Sequence, residues 1–157
     1  MPEVTASMVR ELRDRTGVAM MDCKAALAEV AGDMEKAVEL LRKKGQAKQD
    51  KLAAREATEG RVGVGVSKDG KTGVILEINC NTDFTGKSAP MVELMDVTVA
   101  KLLAHPDQDL TSNETVKALI TQASQQTGEN IRLRRKEILR TSEKIGAYTH
   151  YTGNVAV

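Results

Sequence analysis

Apolar positions recur along this chain with two different periods, one helical and one of two residues, and the change falls near residue 60. In the first stretch Met8, Val9 and Leu12 make a narrow stripe, Thr5 suits an N-cap, Val4 and Val9 are spaced for a hydrophobic staple, and Gly17 supplies a left-handed stop. MMDCKAALAEVA follows, with Met20, Cys23, Leu27 and Val30 at spacings of three and four, ending at Gly32. Asp33 is placed to cap a third helix, MEKAVELLRKK, whose Met34, Ala37, Val38 and Leu41 face inward and which Gly45 ends. Three such helices predict a miniature bundle over residues 1–45.

Residues 46–60 are rich in helix formers but lack an apolar stripe, which reads as a solvated helical linker between two domains. From 61 the period becomes two: Val62, Val64 and Val66 alternate, KDGK carries an Asp-Gly turn, and Val74, Leu76, Ile78 and Cys80 share a face, so a β-hairpin is expected. The polar loop NTDFTGKSAP leads to a helix from about Pro90 or Met91 to Ala104, closed by Pro106. Thr111 and Glu114 have capping-box spacing for another helix, through Val116, Leu119, Ile120 and Ala123 to Gly128. Beyond Ile131, IRLRR, EIL and AYTHYTGNVAV suggest two further strands. The expected architecture is α+β, with a four-stranded antiparallel sheet over 61–157 carrying two helices on one face.

Composition narrows the functional classes. Lys plus Arg number 23 against 22 Asp plus Glu, so the balanced surface argues against a dedicated nucleic-acid binder. No apolar run approaches the roughly 20 residues that span a bilayer, and the charged N-terminus lacks the core of an export signal, which points to the cytoplasm. Cys23 and Cys80 have no paired spacing and read as buried, reduced thiols, with disulfide or metal roles as the alternatives. Of the two histidines, His105 precedes a proline and His150 lies in a strand-like context. Neither belongs to a recognisable catalytic motif, and no phosphate loop, dinucleotide fingerprint or zinc spacing occurs. The chain therefore reads as an interaction protein without metal or cofactor; an enzyme built on Cys80 and His150 is the competing view.

With no Trp, two Tyr and one Phe, the core must be aliphatic, which makes the position of Phe84 informative. It stands outside every periodic stripe, among Thr82, Asp83, Gly86 and Lys87. Either the ring folds back over the sheet edge, or it is a wedge for a partner's pocket, with burial worth roughly 2 to 3 kcal/mol. Met20 and Met21 are adjacent and cannot share one stripe, so at least one points outward, either capping the bundle or offering an adaptable contact. Lys43, Lys44, Lys48 and Lys51, interspersed with Asp50, read as a solvated face.

LRDRTGVAMMDCKAAL at 12–27 and EINCNTDF at 77–84 resemble two signatures of the elongation factor Ts family, and GENIRLRR from Gly128 and AYTHY around His150 follow in the family's order. The resemblance covers nearly the whole chain. It implies a ubiquitin-associated-like (UBA-like) bundle followed by an antiparallel core. It implies a role as guanine-nucleotide exchange factor for the GTPase elongation factor Tu, with a UBA-like adaptor lacking exchange activity as the alternative. On this resemblance Arg13, Met20 and Met21 grip a helix of the GTPase nucleotide domain, Asp83 and Phe84 invade near its magnesium and phosphate site, and His150 supports the same interface. The family usually carries Val where Thr85 stands and Ala or Ser where Gly86 stands, so Gly86 is expected to loosen the wedge loop and Thr85 to remove apolar support from Phe84.

Overall fold

The computed structural model describes residues 4–157, the side chains of Gln46, Gln49 and Asp50 excepted, so the Asp50 counter-charge expected among the lysines and the first three residues of the expected bundle lie outside it. The architecture is α+β, with three leading helices and then an antiparallel sheet carrying helices on one face. Helix α1 (Ala6–Thr16) begins where Thr5 accepts a hydrogen bond from the Met8 N–H at 3.3 Å and ends at Gly17, which turns left-handed at φ 68°. Helices α2 (Met20–Glu29) and α3 (Met34–Leu52) complete the bundle, and Asp33 caps α3 through the Lys36 N–H at 3.0 Å. Val9, Leu12, Val18, Cys23, Ala26, Leu27, Ala37 and Leu41 form its core. Each fully buried leucine there contributes about 1.5 to 3 kcal/mol of transfer free energy.

Gly45 does not end the third helix. Helix α3 continues to Leu52, and Gly45 is a point of close approach to α6 (Glu114–Thr127). A Cβ at Gly45 would collide with the side chain of Gln125, whose amide donates to the Leu41 carbonyl at 3.2 Å. Lys43, Lys44, Lys48 and Lys51 are exposed as expected, but Leu52 and Ala57 are buried, so the stretch after Gly45 is solvated on one side only. Among the described residues from 45 to 52 only Gly45 and Leu52 are buried, too few for a reading based on bulky apolar positions to register the contact.

Strands β1 (Glu59–Val66), β2 (Thr72–Cys80) and β3 (Arg132–Arg140) form a three-stranded antiparallel sheet in that order. The β1–β2 hairpin closes through Ser67 to Thr72, with Gly70 donating to the Ser67 carbonyl at 2.8 Å. Val74, Leu76, Ile78 and Cys80 pack inward against α5 (Ala89–Ala104) and α6. Opposite Leu76 and Val74 stand Gly63 and Gly65, so on β1 the glycines face the helices and the alternating valines face the other way. A Cβ at Gly65 would lie 2.6 Å from Leu103 Cδ1, and one at Gly63 would strike Met95. These glycines let α5 lie directly on the backbone of β1.

The expected fourth strand is absent from the sheet. Residues 148–157 fold back on themselves, with Tyr148 and Val157 exchanging backbone hydrogen bonds at 2.8 and 2.9 Å, and make only an isolated bridge between Thr149 and Ala156. A left-handed Gly153 turns the chain so early that neither arm is long enough for a ladder, and the Gly153 carbonyl instead accepts from Val62 N–H of β1 at 2.7 Å. The capping box at Thr111 and Glu114 is also replaced. Asn113 caps α6 through the Val116 N–H at 3.2 Å, while Thr111 bonds Asp109 within a short 3-10 turn, Leu110–Ser112. Asn113 stands next to the first helical residue, and its short carbonyl arm reaches the free N–H directly.

Candidate functional site

The polar stretch after β2 contains a helical turn, α4 (Asp83–Gly86), rather than an open loop. Thr82 is its N-cap, accepting from the Thr85 N–H at 3.3 Å. A second polar group holds the turn from below. The Glu129 carboxylate accepts from the Asn81 N–H at 2.9 Å, the Thr82 N–H at 3.0 Å and the Thr82 hydroxyl at 2.6 Å. Burial pushes the Glu129 carboxyl upward, but these hydrogen bonds outweigh it and leave the group below its ordinary range. Beside it the Asn130 N–H donates to Asn81 Oδ1 at 2.9 Å. The Asn130 side chain donates to the carbonyls of Ala53 and Arg55, and the Asn81 amide donates to that of Glu56. EINCNTDF, GENIRLRR and the segment after α3 are thus tied at one joint.

On this base Phe84 is 81% exposed, and the alternative in which it covers the sheet edge is excluded. Burial of so large a ring is favourable wherever a matching pocket exists. Asp83, also exposed, accepts from Lys87 Nζ at 2.7 Å, and that hydrogen bond holds its carboxyl below the ordinary range while raising Lys87. Gly86, expected to loosen the turn, instead seats it tightly. Thr85 is buried, and its N–H donates to the Thr82 hydroxyl. Gly86 is buried against β1, where a Cβ would lie 2.6 Å from the Gly60 carbonyl oxygen, so only a glycine lets the turn sit this low.

A shallow groove separates α4 from the 148–157 hairpin, lined by Glu59, Gly60, Asp83, Phe84, Lys87 and Asn154, with Thr152 beside them. His150 is half-buried in the hairpin and reaches the groove only through Thr152. Its Nδ1 shares a hydrogen bond with the Thr152 hydroxyl at 2.8 Å, and its ring packs on Tyr151 with centroids 4.4 Å apart. His150 therefore shapes the hairpin wall opposite Phe84. Tyr151 is 87% exposed, which single-sequence reading missed because a tyrosine in an alternating stretch looks like a strand residue. Glu129 and Asn130 were missed as well, since only the fold brings them beneath residues 81 and 82.

Arg13, Met20 and Met21 lie on another part of the molecule, flanking the turn between α1 and α2. Arg13 is exposed, and so are both methionines, Met20 at 41% and Met21 at 75%. Met20 therefore does not join Cys23 and Leu27 in the bundle core. The start of α2 has no side-chain cap.

The sites weighed against these are poorly equipped. Both cysteines are free and buried. The Cys80 thiol donates to the Thr82 carbonyl at 3.1 Å, and burial, with the Glu129 charge, pushes it up to about 11. So high a value leaves almost no thiolate at neutral pH, contrary to a nucleophilic Cys80. Among the described residues no group of three or more His, Cys, Asp or Glu side chains is arranged to hold a metal, and no helix is long and apolar enough to cross a membrane.

The model of the family described as Elongation factor TS matches residues 81–157, which begin at the Asn81 joint and include α4 and the hairpin. The chain belongs to the elongation factor Ts family. It is 44% identical to Elongation factor Ts of Methylococcus capsulatus over 161 residues, covering 95% of this chain and 54% of that protein. It is 43% identical to that of Arthrospira platensis, covering 96% of this chain and 64% of that one, and 45% identical to that of Clostridium novyi, covering 98% and 54%. The chain thus spans roughly half to two thirds of the length of the curated relatives it matches.

Proposed function

We propose that this chain is a guanine-nucleotide exchange factor of translation elongation, acting on elongation factor Tu in the cytoplasm or an organelle matrix, with no covalent chemistry of its own. Residues 1–45 serve as a UBA-like bundle, 46–60 as the connection, helical to Leu52 and entering β1 at Glu59, and 61–157 as the core that carries the wedge. The observation that supports this most is the Phe84 ring, 81% exposed on a turn that Glu129 and Thr82 brace from beneath. A solvent-facing phenylalanine on a rigid mount has the shape of an anchor.

Exchange needs no catalytic base. A factor accelerates GDP release when it binds the nucleotide-free GTPase more tightly than the GDP-bound form. By linkage the nucleotide then loosens the factor by the same ratio as the factor loosens the nucleotide. An apolar ring buried only when the partner's site opens supplies such a difference, and the adjoining Asp83 carboxylate is unfavourable beside a phosphate. Arg13, Met20 and Met21 would hold the GTPase nucleotide domain while His150 supports the wall facing Phe84. Release of a fluorescent GDP from elongation factor Tu tests this directly. Accelerated release supports exchange, whereas tight binding without acceleration would favour the UBA-like adaptor.

A further inference from the structure

We propose that Glu129 is a positioning residue for the Asp83–Phe84 turn, its carboxylate clamping the two residues before α4 and so fixing where the ring stands when a partner meets it. The inference rests on the exchange reading for its functional consequence, but not for its geometry.

Glu129 lies 48 and 47 residues from the Asn81 and Thr82 it holds, immediately after the left-handed Gly128 that ends α6. One carboxylate oxygen accepts both backbone N–H groups, of Asn81 and Thr82, and the other accepts the Thr82 hydroxyl. Asn81 joins β2 to the turn, and Thr82 is the cap of α4, so these bonds fix the direction in which the chain leaves the sheet. A helix of four residues has too few internal hydrogen bonds to hold its own orientation. Glu129 supplies that hold from a separate element, and the ring two residues beyond Thr82 inherits it. Positions outside an interface that set the geometry of a contact residue affect function as strongly as the contact itself when small displacements matter. The Asn81–Asn130 hydrogen bond holds the same joint but leaves both N–H groups of Asn81 and Thr82 without partners if the carboxylate goes.

Phe84 is the only phenylalanine, so 4-fluorophenylalanine labelling gives one fluorine resonance that reports on this ring alone. Glu129→Ala should shift or broaden that resonance while the protein still unfolds cooperatively, and should lower GDP-release stimulation about tenfold, as expected for lost hydrogen bonds to a charged group. Glu129→Gln should restore most of the rate, because its amide oxygen can still accept from both N–H groups. In a Phe84→Ala background the further change Glu129→Ala should cost nothing, since the ring it positions is gone. An unaltered fluorine signal and rate in Glu129→Ala, or an equal additional loss in the Phe84→Ala background, overturns the proposal. If Glu129→Ala fails to fold, Glu129→Asp, with its carboxylate one carbon short, carries the same measurements. Should the unmodified protein give no stimulation at all, the exchange reading fails, and the fluorine signal still decides whether Glu129 holds the turn.

Discussion

Two of the exposed apolar sites are mounted in opposite ways. Met20 and Met21 sit in the first turn of α2, which has no side-chain cap, and each methionine has three rotatable bonds. Phe84 sits on α4, where Thr82, Glu129 and the Asp83–Lys87 pair fix the turn from three directions, and its ring has only two torsions. A flexible, polarizable surface tolerates variation in what it meets, whereas a braced ring loses little entropy on docking and demands one geometry. Under the exchange reading proposed above, the bundle would hold the partner and the core would displace its nucleotide.

Breaking the rigid side should have the largest effect. We expect Phe84→Ala to lower stimulated GDP release by about 30-fold to 160-fold, the equivalent of roughly 2 to 3 kcal/mol of ring burial. Thermal unfolding should barely change, because the ring is 81% exposed and stabilises little of its own fold. Equal losses of rate and stability would show the ring to be structural. Next comes Gly86→Ala, which forces a methyl against the Gly60 carbonyl oxygen. Backbone on both sides cannot yield as a side-chain tip can, so the turn should lift at a cost of about 1 to 3 kcal/mol, lowering both the unfolding midpoint and the exchange rate. A variant as stable and active as the parent would mean that α4 has slack that its burial does not suggest.

Helices and hairpin were legible because caps and periods are local: Thr5, Asp33, Gly17 and the Asp-Gly turn each act within a few residues. The same locality explains the failures. Gly45 ends a helix by local rules, but here Gln125 from 80 residues away needs its missing side chain, and the continuous helix loses only about 1 kcal/mol to a central glycine. The valines of β1 look like core residues until Met95, Val99 and Leu103 are seen to fill the space above Gly63 and Gly65. Phe84 could be singled out because it was the one ring outside any stripe. Its brace could not, because a lone Glu129 after a helix stop carries no local mark.

Loosening the adaptable side should cost less. We expect Met20→Ala combined with Met21→Ala to raise the dissociation rate of the complex about tenfold with little change in association, since lost short-range packing acts after encounter. The unfolding free energy should stay within about 0.5 kcal/mol of the parent, because neither side chain is in the bundle core. Surface-binding kinetics check the rates and denaturant unfolding checks the stability. If dissociation is unchanged, the bundle does not use these residues to hold a partner, and the contrast with Phe84 reduces to one working surface.

The smallest effect is expected from the Asp83–Lys87 pair, which lies on the exposed surface. Asp83 is depressed by the Lys87 hydrogen bond, so the support it gives is present above the ordinary carboxylate value and fades as pH falls through its lower folded value. Lys87 is raised by the same bond, so its share is complete below the ordinary lysine value and fades only as pH rises through the higher folded one. Between these limits the pair is intact, and its hold on α4 should not vary with pH anywhere near neutrality. Lys87→Met should move the Asp83 titration, followed by its carboxyl carbon resonance, upward into the ordinary range. It should leave the ring in place, because Glu129 and Thr82 still hold the backbone beneath it. A Lys87→Met variant that loses as much exchange as Phe84→Ala would instead mean that the ion pair, and not the buried brace, sets the turn.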